Sequence, residues 1–156
     1  MPESRPLSPL AELLPGSWRV VATSFPLWLT GRRVSPVFNY ALRSTAPLAL
    51  DDTVSWFTRS GTERSLVGVD RATESGLRWR GRGLLALFAS DWSVTGASAG
   101  EDVIGIRFAK TLATPAGVDV LVREESMIED ISEEPLEWLG FTVDEVQSLT
   151  WLRDVL

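Results

Sequence analysis

The sequence predicts an all-β chain: an eight-stranded antiparallel up-and-down β-barrel with a short N-terminal helical turn and a C-terminal helix. Three observations predict it. From Trp18 onward the apolar residues recur with a period of two rather than the helical period. Turn signals such as Ser60-Gly61 and Thr114-Pro115-Ala116-Gly117 punctuate the short apolar runs. No long helical crossover separates them, which disfavours parallel α/β units. Eight antiparallel strands with one apolar side are best accommodated by closing the sheet, because closure removes its edges.

The elements follow in order. Residues 1–9, rich in Pro and Ser, read as a loose arm, and Leu10 to Leu14 as one helical turn ended by Pro15-Gly16. The first strand is expected over 17–29, broken or bent at Pro26. The next covers 36–42, with Pro36 at its start, where a missing N–H does least harm. Ala46-Pro47 marks a connection, and strands over 53–58 and 64–70 flank Ser60-Gly61. Over 77–81 the alternation is clean, with Leu77, Trp79 and Gly81 on one face and Arg78, Arg80 and Arg82 on the other. Leu84 to Phe88 suits a strand or a helical turn. Strands over 91–95, 103–110 and 118–123 complete the set. An acidic stretch, 124–137, leads to a helix expected over 142–153. Thr142 can cap it, with Glu145 three residues on, as a capping box requires. Val146, Leu149 and either Thr150 or Arg153 form a stripe, extended by Leu152 and Leu156, suited to the outside of the barrel.

A chain of 156 residues fits one domain, 1–156. Such a domain buries roughly 68–70% of the surface of its unfolded chain and needs no staples. Seven Trp and six Phe supply large apolar side chains for a core or for a cavity wall. The net charge of −6 argues against nucleic acid as a partner, since phosphate binding needs cations. Cys and His are both absent. That excludes Cys nucleophiles, His-dependent triads, Cys or His metal sites and a His-ligated haem. No metal and no cofactor are expected. The lack of disulfides, of a signal-peptide-like start and of any transmembrane-length segment predicts a cytoplasmic protein without membrane insertion. A monomer or homodimer is expected.

Gly16-Ser17-Trp18 matches the glycine–any–tryptophan motif with which lipocalins enter their first strand. With the order of eight strands and a following helix, the chain resembles the lipocalins and their calycin relatives over most of its length. The resemblance implies that Trp18 packs across the closed end of the barrel and that Arg123, ending the last strand, lies over its ring. Gly16, Trp18 and Arg123 are thus expected to be structural. The family's Thr-Asp-Tyr type motif between the sixth and seventh strands is replaced here by Gly100-Glu101-Asp102, which points to an outlying, bacterial-type branch.

Chemistry is therefore expected at the opposite end. Trp28, Trp56, Trp79 and Trp92 fall on four strands or strand ends, and either wall a cavity or fill a core. Arg78, Arg80 and Arg82 either form a solvated outer face or, if the strand turns inward, make Arg80 part of a basic site for a carboxylate or enolate. Tyr40 either donates a hydrogen bond to a ligand or packs with its hydroxyl at the rim. Among the carboxylates nearest to strands, Glu63, Asp91, Asp102 and Asp119, one turned inward would have a raised pKa and the makings of a base.

These features support a barrel that binds a small apolar molecule, with Trp28, Tyr40, Trp56, Trp79, Arg80 and Trp92 as candidate ligand contacts. The resemblance to calycin-like barrels implies an alternative, a cofactor-free cyclase or isomerase of secondary metabolism, which needs no His or Cys because it chiefly folds its substrate and stabilises developing charge. A third reading makes the acidic segment and final helix a surface for a protein partner.

Overall fold

The computed structural model describes residues 7–112, 114–126 and 136–154. Residues 1–6 of the expected arm, most of the acidic stretch and Leu156 lie outside the described residues. Eight strands run in sequence: β1 Gly16–Thr23, β2 Val34–Thr45, β3 Leu48–Phe57, β4 Glu63–Ala72, β5 Leu77–Gly81, β6 Ala89–Ala97, β7 Val103–Phe108 and β8 Gly117–Arg123. Each pairs antiparallel with the next, and β8 pairs with β1. The register Gly16↔Tyr40 to Arg19↔Val37 joins β1 to β2 and closes the barrel. The expected fold is the observed one.

The first strand is shorter than its apolar run suggests. It ends at Thr23, and Pro26–Trp28 form a 3-10 turn. Proline has no N–H for the ladder, but its fixed φ suits the first position of a helical turn. That turn swings Trp28 over the barrel mouth. Leu84–Phe88 resolves the same way: Gly83–Leu87 is a 3-10 turn between β5 and β6.

One end of the barrel is plugged. The helical turn α1, Leu10–Leu13, buries Leu13 and Leu14 against Trp18. The Trp18 indole N–H donates to Leu14 O at 2.9 Å, which satisfies its polar atom. Arg123 lies over the Trp18 ring with its guanidinium carbon 4.2 Å from the centroid. The same guanidinium donates to Pro15 O at 3.0 Å and to Leu13 O, so one side chain ties the last strand to α1. Gly16 has φ +123°, and a Cβ there would stand 3.0 Å from Arg123 Nη1. The glycine of the opening triplet thus lets the arginine approach.

The interior is packed from this end upward by Val20, Tyr40, Leu50, Leu77, Ile104, Ile106 and Leu121. A second apolar layer lies outside. Val118, Val120 and Val122 on the outer face of β8, with Val103 and Ala22, pack against Leu136, Leu139 and Phe141. So β8 is apolar on both faces because the C-terminal segment covers it.

The C-terminal helix is shorter than expected. α2 spans Val143–Ser148 rather than the whole of 142–153. Thr142 Oγ1 accepts from Glu145 N at 3.1 Å and Glu145 Oε1 accepts from Thr142 N at 2.9 Å, so the capping box forms. Beyond it, Thr150–Trp151 form the short strand β9, which pairs with Ala22 and Thr23 of β1. Strand β2 takes only the first half of that β1 edge, and β9 takes the second. Ladder pairing outweighs the helical stripe here, while Val146 and Leu149 still pack on the outer layer as their periodicity predicts.

Candidate functional site

The upper half of the barrel is hollow. A cavity of about 490 Å³ opens at the end opposite Trp18. Its wall follows from strand parity, since every second residue faces inward. β3 contributes Asp52, Val54 and Trp56, β4 Leu66, β5 Trp79, β6 Ser90 and Trp92, β7 Phe108, and β8 Asp119. Trp28 and Phe25 reach in from the turn after β1. The Trp28 and Trp56 rings meet edge-on at 6.0 Å, and Arg33 lies over Trp56 at 5.6 Å. Deeper in, Phe38, Tyr40, Trp92 and Phe108 form a stacked column with centroid spacings of 6.2, 5.5 and 6.0 Å.

All four candidate tryptophans line this one cavity. Tyr40 does not. It is stacked within the packed column and fully buried, so its hydroxyl is not at the rim. Arg80 is a correction to the inward reading of its strand. Its side chain is exposed on the outer face and donates to Ala86 O at 3.0 Å. Parity decides this, because Leu77 and Trp79 take the inner face of β5. Arg78 and Arg82 are outward too, paired with Asp91 and Asp51. Among the named carboxylates Asp119 is the inward one. Asp91 is engaged outside by Arg78 at 2.7 Å, and Glu63 is exposed.

Two inward carboxyl groups escaped the sequence reading. Asp52 and Asp70 are 4% and 0% exposed, and Asp119 is 1% exposed. The Trp92 indole N–H donates to Asp70 Oδ1 at 2.9 Å. Asp52 and Asp70 share a hydrogen bond between their carboxyl groups, which requires a proton on one of them. Burial pushes Asp52 well above the carboxylate range, with the charge of Asp70 adding to it. Burial raises Asp70 as well, but the bonds from Asp52 and Trp92 hold it back. Burial lifts Asp119 to about 7, against a lowering by its hydrogen bond with Thr23. Burial and the three acids together push the Tyr40 phenol far up, so it stays neutral.

The signal for Asp52 was present in its parity with Val54 and Trp56. It went unread because the strand was expected to begin at Thr53, whereas β3 begins at Leu48. Asp70 shares the face of Leu66 and Gly68. A Cβ on Gly68 would stand 2.3 Å from the Trp79 indole nitrogen, so this glycine seats Trp79 flat on the wall. Among the described residues, no group of three acidic side chains is placed to hold a metal ion.

Solved structures share this architecture. The chain is similar to a siderocalin called Ex-FABP, at 11% identity and TM-score 0.55, covering 74% of this chain and 77% of that one. It is similar to lobster apocrustacyanin A1, at 7% identity and TM-score 0.61, covering 90% of this chain and 77% of that one. The fold is that of the lipocalins and their calycin relatives. At such identities the likeness concerns the barrel alone. No family model matches the sequence, and no curated protein matches it. Within this lipocalin-like barrel, the Trp18–Arg123 contact is the closure that the opening triplet implied. No helix among the described residues is long and apolar enough to cross a membrane.

Proposed function

We propose that this lipocalin-like barrel binds a small, flat, largely apolar molecule in the cavity at its open end. One observation carries the reading: a hollow of about 490 Å³ walled by Trp28, Trp56, Trp79 and Trp92 above a solidly packed floor. Ligand sites are typically clefts of ~300–1,000 Å³ with mostly apolar walls and few polar groups. The mouth supports it: Leu84, Leu87 and Leu112, on the loops at this end, are exposed and offer an apolar rim for entry. The siderocalin neighbour is itself described as functioning through dual ligand specificities. The reading includes action in the cytoplasm as a monomer or homodimer.

The test is a titration of the purified chain with Nile red and with methylnaphthalene, followed by tryptophan fluorescence and native mass spectrometry. One-to-one binding is expected. Trp56→Ala should weaken it about tenfold, the loss of one stacking wall worth ~1–1.5 kcal/mol. Failure of both probes to bind would sink the proposal.

A second reading, a cofactor-free cyclase or isomerase acting on a polyketide-like substrate, draws on Asp119. A carboxyl group that titrates near 7 at a cavity wall suits a general base at neutral pH. Turnover of a linear precursor, abolished in Asp119→Asn, would favour it over simple binding.

A further inference from the structure

Resting on the binding reading above, we infer that the ligand carries a basic nitrogen, an amine or amidine, and that this group docks on Asp52 and Asp119 at the inner end of the cavity. The first observation is placement. On β3, Asp52 sits between Leu50 of the packed floor and Val54 and Trp56 of the wall. On β8, Asp119 sits above Leu121 of the floor. The two acids therefore come where a guest's inner end would rest. The second is unmet bonding. Asp52 Oδ1 and Asp119 Oδ1 are buried and accept no hydrogen bond from any protein group. Buried acceptors without donors are costly, and a ligand that supplies N–H groups repairs that.

The third observation is charge. The titratable or charged side chains facing the interior, among the described residues, are Tyr40 from β2, Asp52 from β3, Asp70 from β4, and Asp119 and Arg123 from β8, with Arg33 and Arg64 at the exposed rim. Arg123 is committed to the floor, on Trp18, Pro15 and Leu13. On the outer faces, Arg78 pairs with Asp91, Arg82 with Asp51 and Arg107 with Glu145, while Arg80 donates to Ala86 O and Arg19 to Arg123 O. Among the described residues, no cation pairs with the inner carboxyl groups. Burial instead favours their protonated forms. A cationic guest takes the place of the protons, and an anionic guest is repelled. The fourth is the wall itself, because tryptophan faces attract cations. Trp79 Nε1 also lacks a partner, but one donor against the unpartnered oxygens of Asp52, Asp70 and Asp119 leaves the interior short of N–H groups.

The experiment uses three guests that differ only in the head group: naphthylmethylamine, naphthylmethanol and naphthylacetic acid. Each is titrated into the full chain near neutral pH. The amine should bind at least about tenfold tighter than the alcohol, and the acid most weakly. Amine affinity should rise from about pH 6 to about pH 8 as Asp119 gives up its proton, while alcohol affinity stays level. Calorimetry of the unmodified chain in buffers of different ionisation enthalpy should show proton release on amine binding, which needs no variant. Asp119→Asn should bring the amine to within about twofold of the alcohol. Alcohol binding as tight as the amine, or acid binding tightest, would overturn the inference and leave the apolar-ligand reading standing. Failure of all three guests to bind would overturn both.

Discussion

Single residues in this barrel divide sharply between those with a structural duty and those without one. Asp119 makes the point. It is buried against Thr23, keeps one oxygen unpartnered, and has no cation beside it. Its hydrogen bond with Thr23 favours the charged form, but burial outweighs it. Its carboxyl moves from 3.8 in an open chain to about 7 in the barrel. The sign follows directly. Below about pH 4 both states hold the proton and folding is indifferent to it. Between there and about pH 7 the unfolded chain releases the proton while the folded barrel retains it, so stability falls as pH rises. The full shift corresponds to about 4 kcal/mol as an upper bound. Asp119→Asn removes the ionisation and nearly keeps the shape. It should raise stability by roughly 1–3 kcal/mol at pH 8 and change it little at pH 4, read from urea unfolding at both pH values. A destabilised variant at pH 8 would mean that the bond with Thr23, or a cation inside the fold, outweighs the cost of burying the charge.

Elements carry the next level of cause, and here sequence and structure part at identifiable places. Period-two alternation located all eight strands, because each has one face against the core. Boundaries were harder. β3 begins at Leu48, but Asp51-Asp52 looks like a turn when read locally, and only the ladder to β2 and β4 extends the strand through them. That hid Asp52, and with it half of the acid pair. The four tryptophans were legible because aromatic side chains on separate strands can meet only in the interior or at the mouth. Whether they enclosed space was not legible, since packing density is a property of all the strands together. At the other end, α2 stops at Ser148 because β1 offers an edge to Thr150 and Trp151.

That short helix is anchored by Glu145, which caps it and also receives two bonds from Arg107 of β7, at 2.6 and 2.7 Å. The Arg107 pairing is the chief reason its carboxyl falls to about 2. A depressed acid stabilises above its unfolded value near 4.5, and that stability fades as pH falls toward about 2. Because the pair is partly solvated, its worth is about 1 kcal/mol rather than the full shift. Glu145→Gln should therefore speed hydrogen exchange in α2 and β9 at neutral pH. It should cost about 1 kcal/mol there, and the difference from the unmodified chain should shrink in acid.

At the scale of the whole molecule, the barrel is two structures stacked on one axis. The lower half, from α1 to Tyr40, Leu50 and Ile106, is packed like any core, and its apolar groups hold the fold. The upper half uses residues of the same chemical type on the same strands, but they face open space. A side chain over a void lacks partner atoms on one side and forfeits part of its dispersion energy. Two tryptophan truncations should then differ by their height in the barrel. Trp18→Ala removes a ring that is wholly buried, sandwiched by Arg123 and bonded to Leu14, and should cost about 4 kcal/mol with visible loss of cooperativity. Trp56→Ala removes a half-buried ring at the mouth and should cost about 1–2 kcal/mol in urea unfolding while weakening ligand binding. Equal costs would mean that the upper half is as tightly packed as the lower. Unequal costs, with the binding defect confined to Trp56, would show that this barrel keeps its stability at the Gly16-Ser17-Trp18 end and leaves the other end available for a guest.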